Sequence, residues 1–143
     1  AVLYQQHAAA AGINIDVIRE PADGYWNDVW MKKPFCFTFW GGRPTADMMM
    51  SIAYHSKAAW NESYWFRPEF DKLLVQARAE LDRPKRAQMY AELQRMINED
   101  GGELIPMFND FVDATTAGVQ NFELTPQLGL CGMRAPERVW LDG

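Results

Sequence analysis

A short segment near residue 40 combines an aromatic side chain, two glycines, an arginine and an acid. Trp40 ends an apolar run, Gly41 and Gly42 follow it, Arg43 comes next, and Asp47 lies four residues further on. Free N–H groups at a helix start attract anions, and an arginine guanidinium holds a carboxylate through two parallel hydrogen bonds. Ligands of open α/β folds bind outside the carboxyl ends of strands. These five residues therefore predict a binding site for an anionic group at a strand-to-helix turn.

The same residues also fit a turn that only connects two elements. Thr45 is a good N-cap for the helix that follows. Asp47 would then complement the helix dipole, and Arg43 would be solvated. On the residue types alone, both interpretations stay open.

Catalytic constellations are the main rival to a binding function. His7 lies in an alanine-rich helix and His55 in a polar loop, and neither has a fixed partner in the sequence. The chain contains no G-x-S-x-G, H-E-x-x-H or P-loop pattern. We therefore expect no catalytic residue and no enzymatic activity. The alternative is a fragment of a hydrolase or transferase whose catalytic residues lie upstream.

Three consecutive methionines, Met48, Met49 and Met50, precede His55 and could be imagined as soft metal ligands. Successive residues of a helix point about 100° apart, so the three sulfurs cannot converge on one ion. Gap-filling packing is the better interpretation. We expect neither a metal nor a cofactor.

The two cysteines, Cys36 and Cys131, leave three possibilities open. They could form one disulfide in an oxidising compartment, they could be two buried thiols, or one could pair outside this segment. Their number does not identify the compartment.

The composition is that of an ordinary globular domain. Hydrophobic residues make up 48% of the 143 residues, charged residues 23%, and the net charge is −5. Without a basic cluster the chain is not expected to bind nucleic acid, and no apolar run approaches the ~20 residues that cross a bilayer. Most of the aromatic residues lie between Tyr25 and Phe70, where they suit either a core or a recognition surface.

The first forty residues predict an alternation of helices and strands. Gly12 should end an alanine-rich helix, and Asp23 should cap a short one from about Gly24 to Met31. Alternating polarity predicts a half-buried strand, and a continuous apolar run predicts a strand covered on both faces. These two strands are 13–17 and 35–40.

Two consecutive amphipathic helices are predicted between Pro68 and Gly101. The expected buried stripe of the first is Phe70, Leu73, Leu74, Ala77 and Leu81, and that of the second is Ala87, Tyr90, Leu93 and Ile97. Before them, a helix capped by Thr45 should reach about Tyr54, and 55–66 should be a surface loop. After them, the pattern predicts an edge strand at 104–108, an extended segment at 111–116 and a last strand at 139–141.

The order and wording of these segments resemble a known family. The segments that carry the resemblance are Gly12-Ile-Asn-Ile-Asp-Val17, Tyr25-Trp26, the run ending in Trp40, Thr45-Ala-Asp47, Phe70-Asp-Lys-Leu-Leu74, Tyr90-Ala-Glu-Leu-Gln94 and Ile105-Pro-Met-Phe108. In this order they resemble the C-terminal lobe of family 5 extracellular solute-binding proteins, the periplasmic dipeptide-, oligopeptide- and nickel-binding proteins of ABC transporters. The similarity extends over nearly the whole chain.

The resemblance implies an α/β fold, one lobe of a type II periplasmic-binding-protein-like architecture with a mixed sheet flanked by helices. It implies that residues 1–143 form a single C-terminal lobe of a larger two-lobed protein. The expected function is capture of a peptide or peptide-like solute between two lobes and delivery to a membrane permease. The expected location is periplasmic, or extracytoplasmic and membrane-associated.

One position departs from the peptide-binding members of that family. They carry a tryptophan at the end of this strand, which Trp40 matches, and three residues later an aspartate that holds the amino terminus of the peptide. Here that position is Arg43. A guanidinium repels an ammonium group and attracts a carboxylate. The resemblance together with this departure predicts an acidic solute, with Trp40, Gly41, Gly42, Arg43 and Asp47 as its candidate contacts.

Overall fold

The computed structural model describes residues 1–126 and 128–142. The chain divides into two compact units, Ala1–Trp40 and a larger one that begins at Gly41. The architecture is a mixture of helices with one small antiparallel sheet, which agrees with the predicted α/β class only at this coarse level. Within the described residues no helix is both long and apolar enough to span a bilayer.

The first unit contains two helices, α1 (Val2–Ala10) and α2 (Tyr25–Asp28). The predicted end of α1 at Gly12 is confirmed. Gly12 has φ +79°, and its N–H donates to Ala9 O at 3.0 Å while Ile13 N–H donates to Ala8 O at 3.0 Å. This pair of bonds is a Schellman motif, which favours glycine at the left-handed position.

The start of α2 differs from the prediction. Gly24, with φ +82°, is the N-cap residue in place of Asp23, and no side chain caps the helix. The helix ends at Asp28 and not near Met31, which has φ +56° and so cannot continue a right-handed helix.

Both strands predicted in the first unit are wrong as strands. Residues 13–17 and 35–40 belong to no sheet among the described residues. Phe35, Phe37 and Phe39 are all exposed, so the second segment is not covered on both faces. A strand needs a neighbour for its backbone N–H and C=O groups. The carbonyls of these segments instead meet side chains: Gln5 donates to Ile15 O and Tyr25 to Phe37 O, each at 2.7 Å.

The second unit holds the helical core. Its first elements are α3 (Ala46–Met49), a π-helical turn (Met50–Tyr54), α4 (Pro68–Ala79) and α5 (Arg83–Asp100). The predicted pair of amphipathic helices is confirmed, since α4 and α5 pack together. Their fully buried side chains are Phe70, Leu74, Ala77 and Leu93. The region 55–66 is a loop, as predicted.

Two residues of the predicted buried stripes, Leu81 and Ala87, are exposed. Leu81 is 89% exposed, because α4 ends at Ala79 and Leu81 lies in the connection to α5. Ala87, in the second turn of α5, is exposed as well. Gly101 ends α5 as predicted, and Gly102 follows it with φ +74°.

The cap of α5 supplies a first testable prediction. The Asp82 side chain accepts a hydrogen bond from Lys85 N at 2.9 Å. Asp82→Ala should lower the free energy of unfolding by about 1 kcal/mol, because one N–H group of the first turn loses its acceptor. Urea denaturation measures this change. Asp82→Asn, which keeps a capping oxygen, should recover most of the loss, and equal losses in both variants would contradict the capping role.

The strands predicted after α5 are corrected in part. Residues 104–108 and 111–116 have no regular secondary structure and belong to no sheet in the described part of the chain, so the edge strand predicted at 104–108 is wrong. The predicted last strand is confirmed at Trp140–Leu141 (β2), which pairs antiparallel with Val119–Gln120 (β1) in the register Val119↔Leu141. Two short segments between them were not predicted, because segments of four or five residues show no helical periodicity. They are α6 (Gly129–Met133), whose residues Leu130 to Met133 have left-handed backbone angles, and the helix α7 (Ala135–Arg138).

Candidate functional site

The predicted binding turn falls at the boundary between the two units. Trp40 is the last residue of the first unit, where it is half-buried. Just before it, exposed Phe39 stacks edge-to-face on Trp26 with ring centroids 5.5 Å apart, and Trp26 contacts Trp30 in the same way at 5.6 Å. The aromatic residues of the first unit therefore include a partly exposed cluster of Trp26, Trp30 and Phe39.

Arg43 folds back on the two glycines that precede it. Its Nη1 donates to Gly41 O at 2.7 Å and to Gly42 O at 3.4 Å, and the side chain is half-buried. Neither glycine has a positive φ. The backbone angles at these two positions therefore do not require glycine. In the structure the carbonyl oxygens of both residues accept hydrogen bonds from the Arg43 guanidinium. The binding role predicted for Gly41, Gly42 and Arg43 stays a prediction, since these bonds lie within the turn itself.

The helix after the turn begins where the sequence predicted. Thr45 is the N-cap of α3, and its Oγ1 accepts a hydrogen bond from Met48 N at 3.3 Å. Only four residues are α-helical before the chain enters the π-helical turn at Met50. The cap at Thr45 therefore fixes the residue at which the turn ends and α3 begins.

Asp47 is held by the two long helices. Its Oδ1 accepts hydrogen bonds from Arg78 Nε on α4 at 3.1 Å and from Tyr90 Oη on α5 at 3.0 Å. Burial, followed by the hydrogen bond to Asp47, raises the pKa of Tyr90, so its hydroxyl stays a donor at neutral pH. The carboxylate that the sequence offered as a possible ligand contact is thus an anchor between α3 and the α4–α5 pair.

Ser51, one turn after Asp47, adds two further hydrogen bonds to this contact. Ser51 Oγ donates to Asp47 O at 2.6 Å and accepts from Arg78 Nη2 at 2.6 Å. The sequence did not single out Ser51 or Arg78, and it assigned Tyr90 only to the buried stripe of α5. Nothing in the spacing of these residues signals that they meet at Asp47, because their contact depends on how three helices pack.

The other residues considered for chemistry do not form a reactive set. His55 lies 3.8 Å from Asp71, but its Nδ1 accepts a hydrogen bond from Lys57 N and Asp71 Oδ1 accepts one from Ser56 N at 2.9 Å. The bond from Ser56 fastens the loop to α4, and the bond from Lys57 lies within the loop. His7 is exposed on α1.

The three methionines point into different environments. Met48 is exposed, Met49 is half-buried and Met50 is buried. Within residues 1–126 and 128–142 no three His, Cys, Asp or Glu side chains form a cluster able to hold a metal ion. Of the two cysteines, Cys36 is half-buried, and Cys131 is buried with its sulfur 3.4 Å from Glu123 N.

A polar network that the sequence did not predict organises the loop between the π-helical turn and α4. Asn61 is 2% exposed, and its Nδ2 donates to Trp65 O at 2.7 Å and to Tyr54 O at 3.3 Å. Its Oδ1 accepts from Trp65 N at 3.1 Å. The Asn61 side chain therefore satisfies backbone N–H and C=O groups of this loop that would be bonded to other backbone groups in a helix or strand.

An apolar groove lies beside this loop. It has a volume of about 280 Å³ and is lined by Ser51, Ile52, Ala58, Ala59 and Trp60. The π-helical turn forms one wall of the groove, and such turns occur often at functional sites. The size suits one side chain of a ligand more than a whole solute.

Comparisons with protein-family models, with curated proteins and with solved structures yield no match to this chain.

Proposed function

We propose that this chain is the C-terminal lobe of the solute-binding component of an ABC importer. Its solute is a peptide or peptide-like molecule, captured between two lobes and handed to a membrane permease in the extracytoplasmic space. The proposal rests on the resemblance of the ordered segments to family 5 solute-binding proteins. It gives the chain a binding function and no catalytic residue, with no nucleic-acid partner.

The observation that carries the proposal is the anchoring of the turn at Asp47. Bonds from α4, through Arg78, and from α5, through Tyr90, hold α3 in place, and Thr45 caps its first turn. Arg43 stands two residues before that cap with its guanidinium bonded to the backbone of the turn. A cation held on a rigid support loses little freedom when an anion binds, which favours affinity.

The exposed apolar surface of the second unit supports a partner lobe. Four apolar side chains of the segment after α5, Leu104, Met107, Phe108 and Val112, are each at least 65% exposed, and Phe108 reaches 90%. Several strongly exposed apolar side chains within one short segment fit a surface that a partner covers. A second lobe that closes over the solute supplies such a cover.

In this proposal the turn selects an acidic solute. Arg43 binds a carboxylate of the solute, and Gly41 and Gly42 let the solute backbone approach closely because they have no side chains. Trp40 supplies an apolar wall. Asp47 keeps the turn in position and is a positioning residue without direct contact to the solute.

The role of Arg43 predicts a measurable loss of affinity. Arg43→Ala should weaken binding of an acidic peptide about tenfold to a hundredfold, because a hydrogen bond between charged groups contributes about 1.5–3 kcal/mol. Arg43→Lys, which keeps the charge and loses the planar fork, should fall between wild type and Arg43→Ala. Isothermal titration calorimetry on the complete two-lobed protein gives these dissociation constants.

Arg95 offers a matched control for the loss of one positive charge. It is half-exposed on α5 and pairs with Glu92 and Glu99. Arg95→Ala should leave solute affinity unchanged. If wild type and Arg43→Ala bound every solute with equal affinity, Arg43 would not be a contact of the solute.

A further inference from the structure

A half-buried glutamate with one buried, unsatisfied carboxyl oxygen lies between the end of α5 and the loop that Asn61 organises. Glu103 Oε2 accepts a hydrogen bond from Tyr54 Oη at 2.6 Å, and Tyr54 is itself buried. The other oxygen, Oε1, is buried without a hydrogen-bond partner. A carboxylate in this position leaves part of its charge uncompensated, whereas a neutral carboxyl avoids most of that cost.

The titratable groups that act on this carboxyl come from two elements. Tyr54, from the π-helical turn, donates a hydrogen bond, and Glu62, from the loop, places a like charge nearby. The acids at the end of α5 are engaged elsewhere, since Asp100 binds Arg67 and Glu99 binds Arg95. Burial, and then the charge of Glu62, raise the pKa of Glu103 against the opposing effect of the Tyr54 bond.

The backbone next to Glu103 supports the same loop. Gly102 has φ +74°, and a Cβ atom at this glycine would lie 3.1 Å from Ser63 Cβ. There is therefore little room for a side chain at this position, and the backbone beside Glu103 lies against the loop at Ser63. The same loop carries Ala58, Ala59 and Trp60, which line the groove of about 280 Å³.

We propose that Glu103 is a pH-sensitive latch on the loop between the π-helical turn and α4. With the carboxyl neutral, it stays buried against Tyr54 and the loop is closed over it. With the carboxyl ionised, it turns toward water, the bond to Tyr54 is given up, and the loop opens at Ser63. This inference is independent of the identity of the solute.

The sign of the pH dependence follows from the direction of the shift. The folded state holds its proton more tightly than the unfolded state, in which a glutamic acid has a pKa of about 4.3. The stabilisation is complete below that value and is lost as the pH rises through the pKa of the folded state. Glu103→Gln, which remains neutral, should not lose it.

The test compares thermal unfolding of wild type and Glu103→Gln from about pH 4, below the unfolded pKa, to about pH 8. The variant should unfold at nearly the wild-type temperature at the acidic end and about 2–4 °C above it at the alkaline end. The protection of amides 61–65 from hydrogen exchange, corrected for the intrinsic pH dependence of exchange, should fall with pH in wild type alone. A temperature difference that does not change with pH would overturn the latch.

Two further variants separate the latch from a merely structural role of Glu103. Tyr54→Phe removes the bond that holds the neutral carboxyl in the closed loop, so the loop should open at a lower pH. Glu62→Gln removes the like charge that disfavours an ionised carboxyl in the closed loop, so that pH should rise. Glu69→Gln, at an exposed glutamate of α4, should leave it unchanged. Shifts of the same sign in Tyr54→Phe and Glu62→Gln would contradict the proposal.

Discussion

Replacing Phe70 by alanine should lower the free energy of unfolding by about 3–5 kcal/mol. Phe70 is 0% exposed at the start of α4, and its ring stacks edge-to-face on Trp65 with centroids 5.0 Å apart. The substitution removes a large, fully buried apolar side chain. It leaves a cavity that the surrounding helices can fill only in part. Urea denaturation followed by circular dichroism measures the loss.

Val75 on the same helix provides the control for Phe70→Ala. It is 55% exposed, so Val75→Ala should change the free energy of unfolding by no more than about 0.5 kcal/mol. A loss in Phe70→Ala as small as that in Val75→Ala would mean that α4 does not pack as described.

Asn61→Ala should cost about 2–4 kcal/mol although the residue is polar and lies in a loop. The substitution leaves the N–H and the C=O of buried Trp65 without the partners that Asn61 supplies, and each unsatisfied group costs about 1–3 kcal/mol. Hydrogen exchange should also become faster at Trp65. Thermal and urea unfolding give the size of the loss.

Two substitutions define what the loss at Asn61 means. Asn98 is exposed on α5, and Asn98→Ala should change stability by less than about 0.5 kcal/mol. Asn61→Asp keeps an acceptor for Trp65 N but removes the donor and adds a charge, so it should be at least as destabilising as Asn61→Ala. Stability close to wild type in both Asn61 variants would show that water replaces the network.

The features that the sequence predicted correctly are local. Gly12 at the left-handed position, Thr45 as an N-cap and the stripe of Phe70 and Leu74 each depend on residues within a few positions of one another. Their physical causes, which are backbone conformation, capping and helical periodicity, act over one or two turns. This is why the two amphipathic helices were predicted with nearly correct bounds.

The features that the sequence missed or misassigned depend on partners distant in the chain. The runs 35–40 and 104–108 have strand-like composition, but a strand forms only where another backbone accepts its hydrogen bonds. Asp47 shows the same limit within the candidate site. Its position in α3 was predictable, whereas its bonds to Arg78 and Tyr90 follow from the packing of α3 on α4 and α5.

Capture of an acidic solute is tested most directly by the thermal stability, against a panel of ligands, of the two-lobed protein that we propose. The panel holds acidic, neutral and basic peptides, opines, sugars and metal chelates. A solute present at one hundred times its dissociation constant stabilises the folded state by about 2.7 kcal/mol, which raises the unfolding temperature by several degrees. We predict such a rise for an acidic peptide and a smaller one for the same peptide with its carboxylates amidated. An unchanged unfolding temperature with every member of the panel would contradict a solute-binding function.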